Sequence, residues 1–267
     1  LMQILKSDIN VIALSALSDN YIWILASDKM NGIYVVDPGD SRPVLNWLNN
    51  KNLPLKGILI THHHPDHVGG VRDLLAHCNV PVFGPRDCPA RCVTHPLDEG
   101  DALNCLGLNL HVLSVPGHTL DHIAYFSGTH DNQSPILFSG DTLFAGGCGR
   151  LFEGTAEQMH FSLEKLSSLP DQTSVFCGHE YTISNLLFAA AVEPDNKDIE
   201  SRLKKDKKRL AEGNPTLPTT IGLERRTNPF LRTKEPAVVS KVLSTTDENC
   251  NEPVNIFAAL RKWKDNF

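Results

Sequence analysis

Four candidate metal ligands, His62, His64, Asp66 and His67, fall within six residues of the segment Thr61-His62-His63-His64-Pro65-Asp66-His67. The segment follows an apolar stretch, Gly57 to Ile60, and leads into Val68-Gly69-Gly70 and a helical pattern. Alternate side chains of an extended backbone point the same way, so His62 and His64 can address one ion. Asp66 and His67, where the chain turns into the helix, can face a second. Imidazole nitrogen and carboxylate oxygen suit zinc at about 2.0 to 2.2 Å, and iron and manganese accept much the same donors.

One loop cannot complete two ions, so further ligands are expected at the same ends of neighbouring strands. His118 follows an apolar run, Leu108 to Val115. Asp141 follows Ile136 to Phe138, and His179 follows Ser174 to Cys177. Each is preceded by a glycine, Gly117, Gly140 and Gly178, a residue that permits a tight turn aiming the next side chain back across the sheet edge.

Apolar runs bounded by Gly, Pro, Asp or Asn predict further strands over Tyr21 to Ala26, Ile33 to Val36 and His122 to Phe126. Helical spacing covers Ser41 to Asn50, His67 to His77 and Thr155 to Ser168. This alternation predicts a layered α/β domain over residues 1–180. Beyond Glu180 the patterns become helical, over Ser184 to Val192, Asp198 to Glu212, Glu235 to Leu243 and Pro253 to Asp265, which predicts a helical domain over 181–267. Val11 to Leu17 is expected to be a strand rather than a leader core, because only Lys6 precedes it and Ser18-Asp19-Asn20-Tyr21 follows. Leu1, ahead of Met2, has the look of an added residue.

Up to Glu180 the chain holds 10 Lys/Arg against 19 Asp/Glu, and beyond it 15 against 12. An acidic first part lacks the basic footprint that phosphate backbones require, so no nucleic-acid partner is expected there. No apolar run approaches the roughly 20 residues of a membrane span, so no membrane partner is expected. Seven cysteines without a C-x-x-C pair suit a reducing, cytoplasmic compartment. Cys88 and Cys92 lack a second pair with which to bind metal and are expected to be structural.

With these residues in place, the chain resembles the metallo-β-lactamase superfamily, marked by H-x-H-x-D-H followed by separated His, Asp and His ligands. The resemblance implies an αββα sandwich. It also implies two divalent ions, zinc foremost: His62, His64 and His118 would hold the first, Asp66, His67 and His179 the second, and Asp141 would bridge them. Asp66 and Asp141 would then be the catalytic carboxylates, working with a bridging hydroxide, since metal coordination brings the pKa of water down to about 7.

A closer resemblance, to the glyoxalase II (hydroxyacylglutathione hydrolase) family, covers essentially the whole chain. It is carried by Asp19-Asn20-Tyr21, Gly147-Cys148-Gly149-Arg150 with Glu153-Gly154-Thr155, Cys177-Gly178-His179-Glu180-Tyr181-Thr182, Ala191-Val192-Glu193-Pro194-Asp195-Asn196 and the C-terminal Arg261-Lys262-Trp263-Lys264-Asp265-Asn266-Phe267. The expected reaction is hydrolysis of a glutathione thioester, S-D-lactoylglutathione, by a monomer. Arg150, Tyr181, Arg261 and Lys264 would contact glutathione, whose two carboxylates suit guanidinium and ammonium groups. By themselves Arg261 and Lys264, i and i+3 near the chain end, would be expected on a solvated face. The animal enzymes have lysine and tyrosine where this chain has Arg150 and Phe152, so the bacterial type is the better match. Phe152 cannot supply a hydroxyl.

Other features carry less. His77, His95, His111, His130 and His160 lie outside the strand-exit pattern and are expected on the surface or in the core. His63 and His122 adjoin ligands; each can orient one or be no more than a neighbour, the second being the more ordinary outcome. The run Lys204 to Arg209 is expected to be a solvated helix face. Ser162-Leu163-Glu164-Lys165 and Ser18-Asp19-Asn20 mimic serine β-lactamase motifs in the wrong order and without K-T-G. Competing functions are a mononuclear iron persulfide dioxygenase of the same superfamily and a non-catalytic metal-binding module.

Overall fold

The computed structural model describes residues 2–4, 9–128, 134–245 and 252–267. Leu1 and His130, named above, and one of the seven cysteines, Cys250, lie outside the described residues. Two compact units share the chain, the first formed by Leu1–Ser114, Asp121–Gly140 and Phe176–Glu180, the second by Val115–Leu120, Asp141–Val175 and Tyr181–Phe267. The helices beyond residue 180 therefore share a unit with two earlier segments, Val115–Leu120 and Asp141–Val175.

The first unit contains a seven-stranded sheet in sequence order: β1 (Met2–Ile4), β2 (Asn10–Ala16), β3 (Asn20–Ser27), β4 (Gly32–Val36), β5 (Leu55–Leu59), β6 (Val82–Pro85) and β7 (His95–Leu97). Pairing is antiparallel through β4 and parallel from β4 to β7. β2 contains Val11 to Ala16, so that stretch is strand, as expected. Every residue of β3 is buried, the mark of a strand covered on both faces. Ile22, Ile24 and Ala26 pack with Val44 of α1 (Ser41–Lys51) and with Val71 and Leu74. On the opposite face the Trp23 ring meets Phe176 edge-on at 4.9 Å, and its Nε1 donates to Cys177 O at 2.9 Å. Each large apolar side chain buried in this way contributes about 1.5 to 3 kcal/mol.

The helix expected over His67 to His77 is two pieces, α2 (Pro65–Val68) and α3 (Val71–His77). Between them Gly69 and Gly70 press against the loop after β4, where Gly70 N donates to Pro38 O at 2.8 Å. A second sheet begins with the antiparallel run β8 (Ala102–Cys105), β9 (Leu108–Ser114), β10 (Ile123–Ser127) and β11 (Ile136–Gly140). The two sheets are tied where Tyr125 OH donates to Ile60 O at 2.7 Å.

In the second unit, β12 (Leu143–Phe144) and β13 (Gly147–Cys148) form a hairpin. α4 (Ala156–Ser167) opens with a capping box in which Thr155 and Gln158 satisfy each other's backbone N–H. β14 (Ser174–Cys177) starts in this unit and ends in the first, where it lies next to β11. α5 (Thr182–Val192), α6 (Lys197–Ala211), β15 (Thr219–Thr220), α7 (Ile221–Thr227), α8 (Pro236–Thr245) and α9 (Pro253–Asp265) complete the chain.

Buried polar groups hold the β12–β13 hairpin. Asn185 Nδ2 donates to Ala145 O at 3.1 Å, and Asn228 Nδ2 donates to Gly147 O at 2.9 Å. Glu224 Oε2 accepts from Gly146 N at 2.8 Å, while its Oε1 takes Arg202 Nη2 at 2.7 Å. The hairpin lies between Asp141 and Arg150 in the chain. No helix among the described residues is long and apolar enough to cross a membrane.

Candidate metal centre

In the first unit, the loop after β5 carries His62 and His64 and α2 carries Asp66 and His67, with His62 and His67 buried and their rings 4.2 Å apart. The His62 and His64 rings stand 4.8 Å apart, edge to face. Asp66, His67 and His179 form a group whose ligand atoms all lie within 4.8 Å of one another. His67 Nε2 is 3.4 Å and His179 Nε2 3.3 Å from the same atom, Asp66 Oδ2. Donors that share one tetrahedral ion at about 2.1 Å stand roughly 3.4 Å from each other, so this spacing fits an ion better than direct hydrogen bonds.

The other nitrogen of each ring is held in place. His67 Nδ1 lies 3.0 Å from Asp37 Oδ2, and His179 Nδ1 lies 2.7 Å from Asp19 Oδ1. A carboxylate behind an imidazole fixes its tautomer and aims its free nitrogen. Asp37 also accepts from Thr61 N at 2.8 Å and Thr61 Oγ1 at 2.7 Å, and that hydroxyl lies 3.1 Å from His62 Nδ1. Both Asp37 oxygens are engaged, which places it to orient the His67 and His62 rings, and it also groups with them as a possible metal-holding set. Burial pushes the Asp66 carboxyl pKa up. The adjacent His179 and His67 imidazoles, with the hydrogen bond from Asn20 Nδ2 (2.9 Å), outweigh it and hold the group well below the usual carboxylate range, in its ionised form.

In the second unit, His118 and Asp141 are buried with Nε2 and Oδ2 3.5 Å apart, the same ion-sharing distance. His118 Nδ1 is engaged by Arg150 O at 2.8 Å. The turns before the ligands follow from glycine in two cases. Gly117 has φ 151° and Gly140 φ 48°, where a Cβ on Gly140 would also stand 2.5 Å from Thr61 Oγ1 and 2.7 Å from the His122 ring. Gly178 differs: no positive φ occurs there, and its backbone is fixed by pairing, N to Gly140 O at 2.9 Å and O from Tyr21 N at 2.8 Å.

The cationic residues gather in the second unit around Asp265. Arg261 is buried and donates from Nε (3.1 Å) and Nη2 (2.8 Å) to Asp265 Oδ1 and from Nη1 to Cys148 O (3.0 Å). Arg150, 66% exposed, holds its Nε 3.6 Å from the same Asp265 oxygen. Lys264 Nζ donates to Ser184 O at 3.1 Å and stands over the Phe188 and Phe267 rings. Burial, with the Arg261 and Arg150 charges, lowers its pKa to about 8. Tyr181 sits just before α5 with its ring edge-on to Phe144 at 5.3 Å.

Of the remaining histidines, His63 Nδ1 pairs with Asp121 at 2.9 Å, and His122 stacks on His62 at 4.6 Å. His77, His95 and His111 are exposed, and His160 is buried 3.2 Å from Thr233 Oγ1. Ser162 is buried in α4 and donates to Pro116 O at 2.7 Å, an arrangement with no nucleophile role. In the run Lys204 to Arg209, only Asp206 is buried. Sequence reasoning missed the orienting roles of Asp19, Asn20, Asp37 and Thr61. Asp37 follows β4 much as the ligands follow their strands, and that position was the available signal.

A family model described as "Metallo-beta-lactamase superfamily" matches residues 18–87, and one described as "Hydroxyacylglutathione hydrolase C-terminus" matches residues 180–267. A curated hydroxyacylglutathione hydrolase of Pseudomonas entomophila (strain L48) is 51% identical over 262 residues, 97% of this chain and 100% of its own. The chain belongs to the hydroxyacylglutathione hydrolase family. Solved structures place this family member among metallo-β-lactamase folds. ETHE1 from Myxococcus xanthus is similar with TM-score 0.63 and 25% identity, over 95% of this chain and 97% of that one. TTHA1623 in a di-iron-bound form is similar with TM-score 0.58 and 28% identity, over 83% and 99%. The fold is thus α/β, of the metallo-β-lactamase type, with the helical C-terminal region of the hydroxyacylglutathione hydrolases.

Proposed function

We propose that the chain hydrolyses S-(2-hydroxyacyl)glutathione thioesters, S-D-lactoylglutathione to D-lactate and glutathione, the second step of methylglyoxal detoxification, as a cytoplasmic monomer. The observation that carries the metal half of this reading is the placing of His67 and His179 Nε2 at 3.4 and 3.3 Å from one Asp66 oxygen. Family membership carries the substrate half.

His62, His64 and His118 would hold one divalent ion and Asp66, His67 and His179 a second, with Asp141 bridging; a similar solved chain is described as di-iron-bound. Zinc is the first choice for these nitrogen and oxygen donors, with iron or manganese also suited. When bound, such a pair lowers the pKa of water towards neutrality and stabilises negative charge on the thioester oxygen and the departing sulfur. The chain's own residues supply the rest. Asp37 and Asp19 keep the two imidazoles turned inward, and Asp66 orients the attacking water. The thioester C–S bond breaks as one water adds, the acyl group leaving as carboxylate, the sulfur as a thiol, and one proton passing to solvent.

The residues 181–267, with Arg150, make up the substrate-binding part of this proposal. Arg150, Tyr181 and Lys264 would contact glutathione directly. Arg261, which also holds Asp265 and Cys148, would contact it as well. The test is thiol release from S-D-lactoylglutathione by the metal-loaded protein. Release without oxygen uptake supports the hydrolase; oxygen uptake with a glutathione persulfide and no thioester cleavage would replace it with the dioxygenase.

A further inference from the structure

Among the described cysteines, Cys105, Cys148 and Cys177 are buried, and Cys78, Cys88 and Cys92 are half-buried. Burial pushes the Cys105 and Cys148 thiols up, Cys148 to about 11, which keeps both protonated and inert at neutral pH. Cys88 and Cys92 differ from these in sharing one loop, between the parallel strands β6 and β7. The loop is braced at its ends: Arg86 N donates to Leu97 O at 3.1 Å, Thr94 N to Val82 O at 2.9 Å, and Val82 N to Thr94 Oγ1 at 2.9 Å. Inside it, Cys88 N donates to Pro85 O at 3.2 Å, and the chain turns back at Arg91, whose φ of 52° is uncommon for a residue with a side chain. The reversal brings the two sulfurs together, and the Cys88 thiol donates a hydrogen bond to Cys92 Sγ.

That hydrogen bond favours the thiolate of its acceptor. It holds Cys92 below the ordinary thiol range, while the same bond, followed by burial, pushes Cys88 up. The thiolate is the species that attacks a disulfide. Arg91, exposed between the two cysteines, offers a guanidinium to an anionic partner. We infer that Cys88 and Cys92 are a redox-active thiol pair, a modification site for the disulfide of a small anionic thiol, with Cys92 attacking and Cys88 resolving. Cys92 Sγ attacks one sulfur of the small disulfide, a mixed disulfide forms, and one small thiolate leaves. Cys88 then loses its proton to solvent and its Sγ attacks Cys92 Sγ, so that the Cys88–Cys92 bond forms and the second small thiolate leaves. Two protein thiols are oxidised as one small disulfide is reduced to two thiols. Such a bond needs Cα atoms within about 7 Å of each other, and the reversal at Arg91 favours that approach. A disulfide that is exposed and closes so short a loop is readily reduced again. The exchange needs neither metal ions nor thioester cleavage.

The test incubates the whole chain with glutathione disulfide at neutral pH, quenches with acid at intervals and alkylates the remaining thiols. Digestion with trypsin, which cuts after Arg86 and Arg91, and with a glutamate-specific protease, which cuts after Glu99, separates the two cysteines for mass spectrometry. The expected product is peptides 87–91 and 92–99 joined by a disulfide, formed about tenfold faster than any glutathione adduct at Cys78 and reversed by excess glutathione. Cys88→Ser should stop the sequence at a stable glutathione adduct on Cys92, and Cys92→Ser should slow modification of the loop by about tenfold. Thermal melting checks that each variant is folded, and the wild-type peptide map is decisive whatever their stability. Wild-type protein that keeps glutathione on Cys92 without forming the link to Cys88, or that reacts at Cys92 no faster than at Cys78, overturns the proposal.

Discussion

Asp37 Oδ2 and His67 Nδ1 stand 3.0 Å apart, both fully buried, and the same carboxylate receives the backbone N–H and hydroxyl of Thr61. One acidic side chain at the end of β4 therefore sets the orientation of His67 directly and bears on His62 through Thr61. Replacing it with a group that cannot accept three hydrogen bonds loosens the ligands without removing one. Asp37→Ala should weaken metal affinity by about 10- to 100-fold. Competition with a chromophoric chelator measures this, and an unchanged affinity would remove the orienting role.

Lys264 supplies a pH prediction. Its ammonium has a pKa of about 8, lowered first by burial and then by Arg261 and Arg150. It is charged below that pH and neutral above it. If it binds a glutathione carboxylate, kcat/KM for the thioester should fall as pH rises through about 8, because this parameter follows groups of the free enzyme. Lys264→Met should lower kcat/KM at pH 7 and flatten that limb; a limb that persists in the variant assigns it to another group.

The pair Arg202 and Glu224, 2.7 Å apart and buried, anchors the β12–β13 hairpin through Gly146 N. Glu224→Ala would leave a buried guanidinium without its main counter-charge, at a cost of about 3 to 5 kcal/mol. Urea denaturation should show a lower midpoint with little change in slope. A loss under about 1 kcal/mol would mean that the network contributes little to stability.

Apolar runs made much of this fold legible. Ser174 to Cys177 and Pro253 to Asp265 are found with the expected bounds, and the strand at Tyr21 to Ala26 is only one residue longer at each end. β6, β7 and β8, only three or four residues long, carry too little pattern to read. The break between α2 and α3 depends on a backbone contact to Pro38, far away in sequence. The candidate ligands were legible because their residue types are rare in such spacing. The partners behind them were not, since Asp19 and Asp37 look like ordinary loop acids until β2 to β4 bring them to His179 and His67. Arg261 shows the converse: near the chain end it reads as solvated, yet it is buried with Phe230 below its guanidinium at 5.1 Å.

On the proposed reading, thioester cleavage depends on ions that would be held by His62, His64, His118, Asp66, His67, Asp141 and His179. The most direct measurement is elemental analysis and thiol release from S-D-lactoylglutathione on one preparation, stripped with chelator and then titrated with zinc. The stripped protein should release negligible thiol, and activity should rise with bound metal to a plateau at about two ions per chain. Full activity in the stripped protein, or none at two ions per chain, would contradict it.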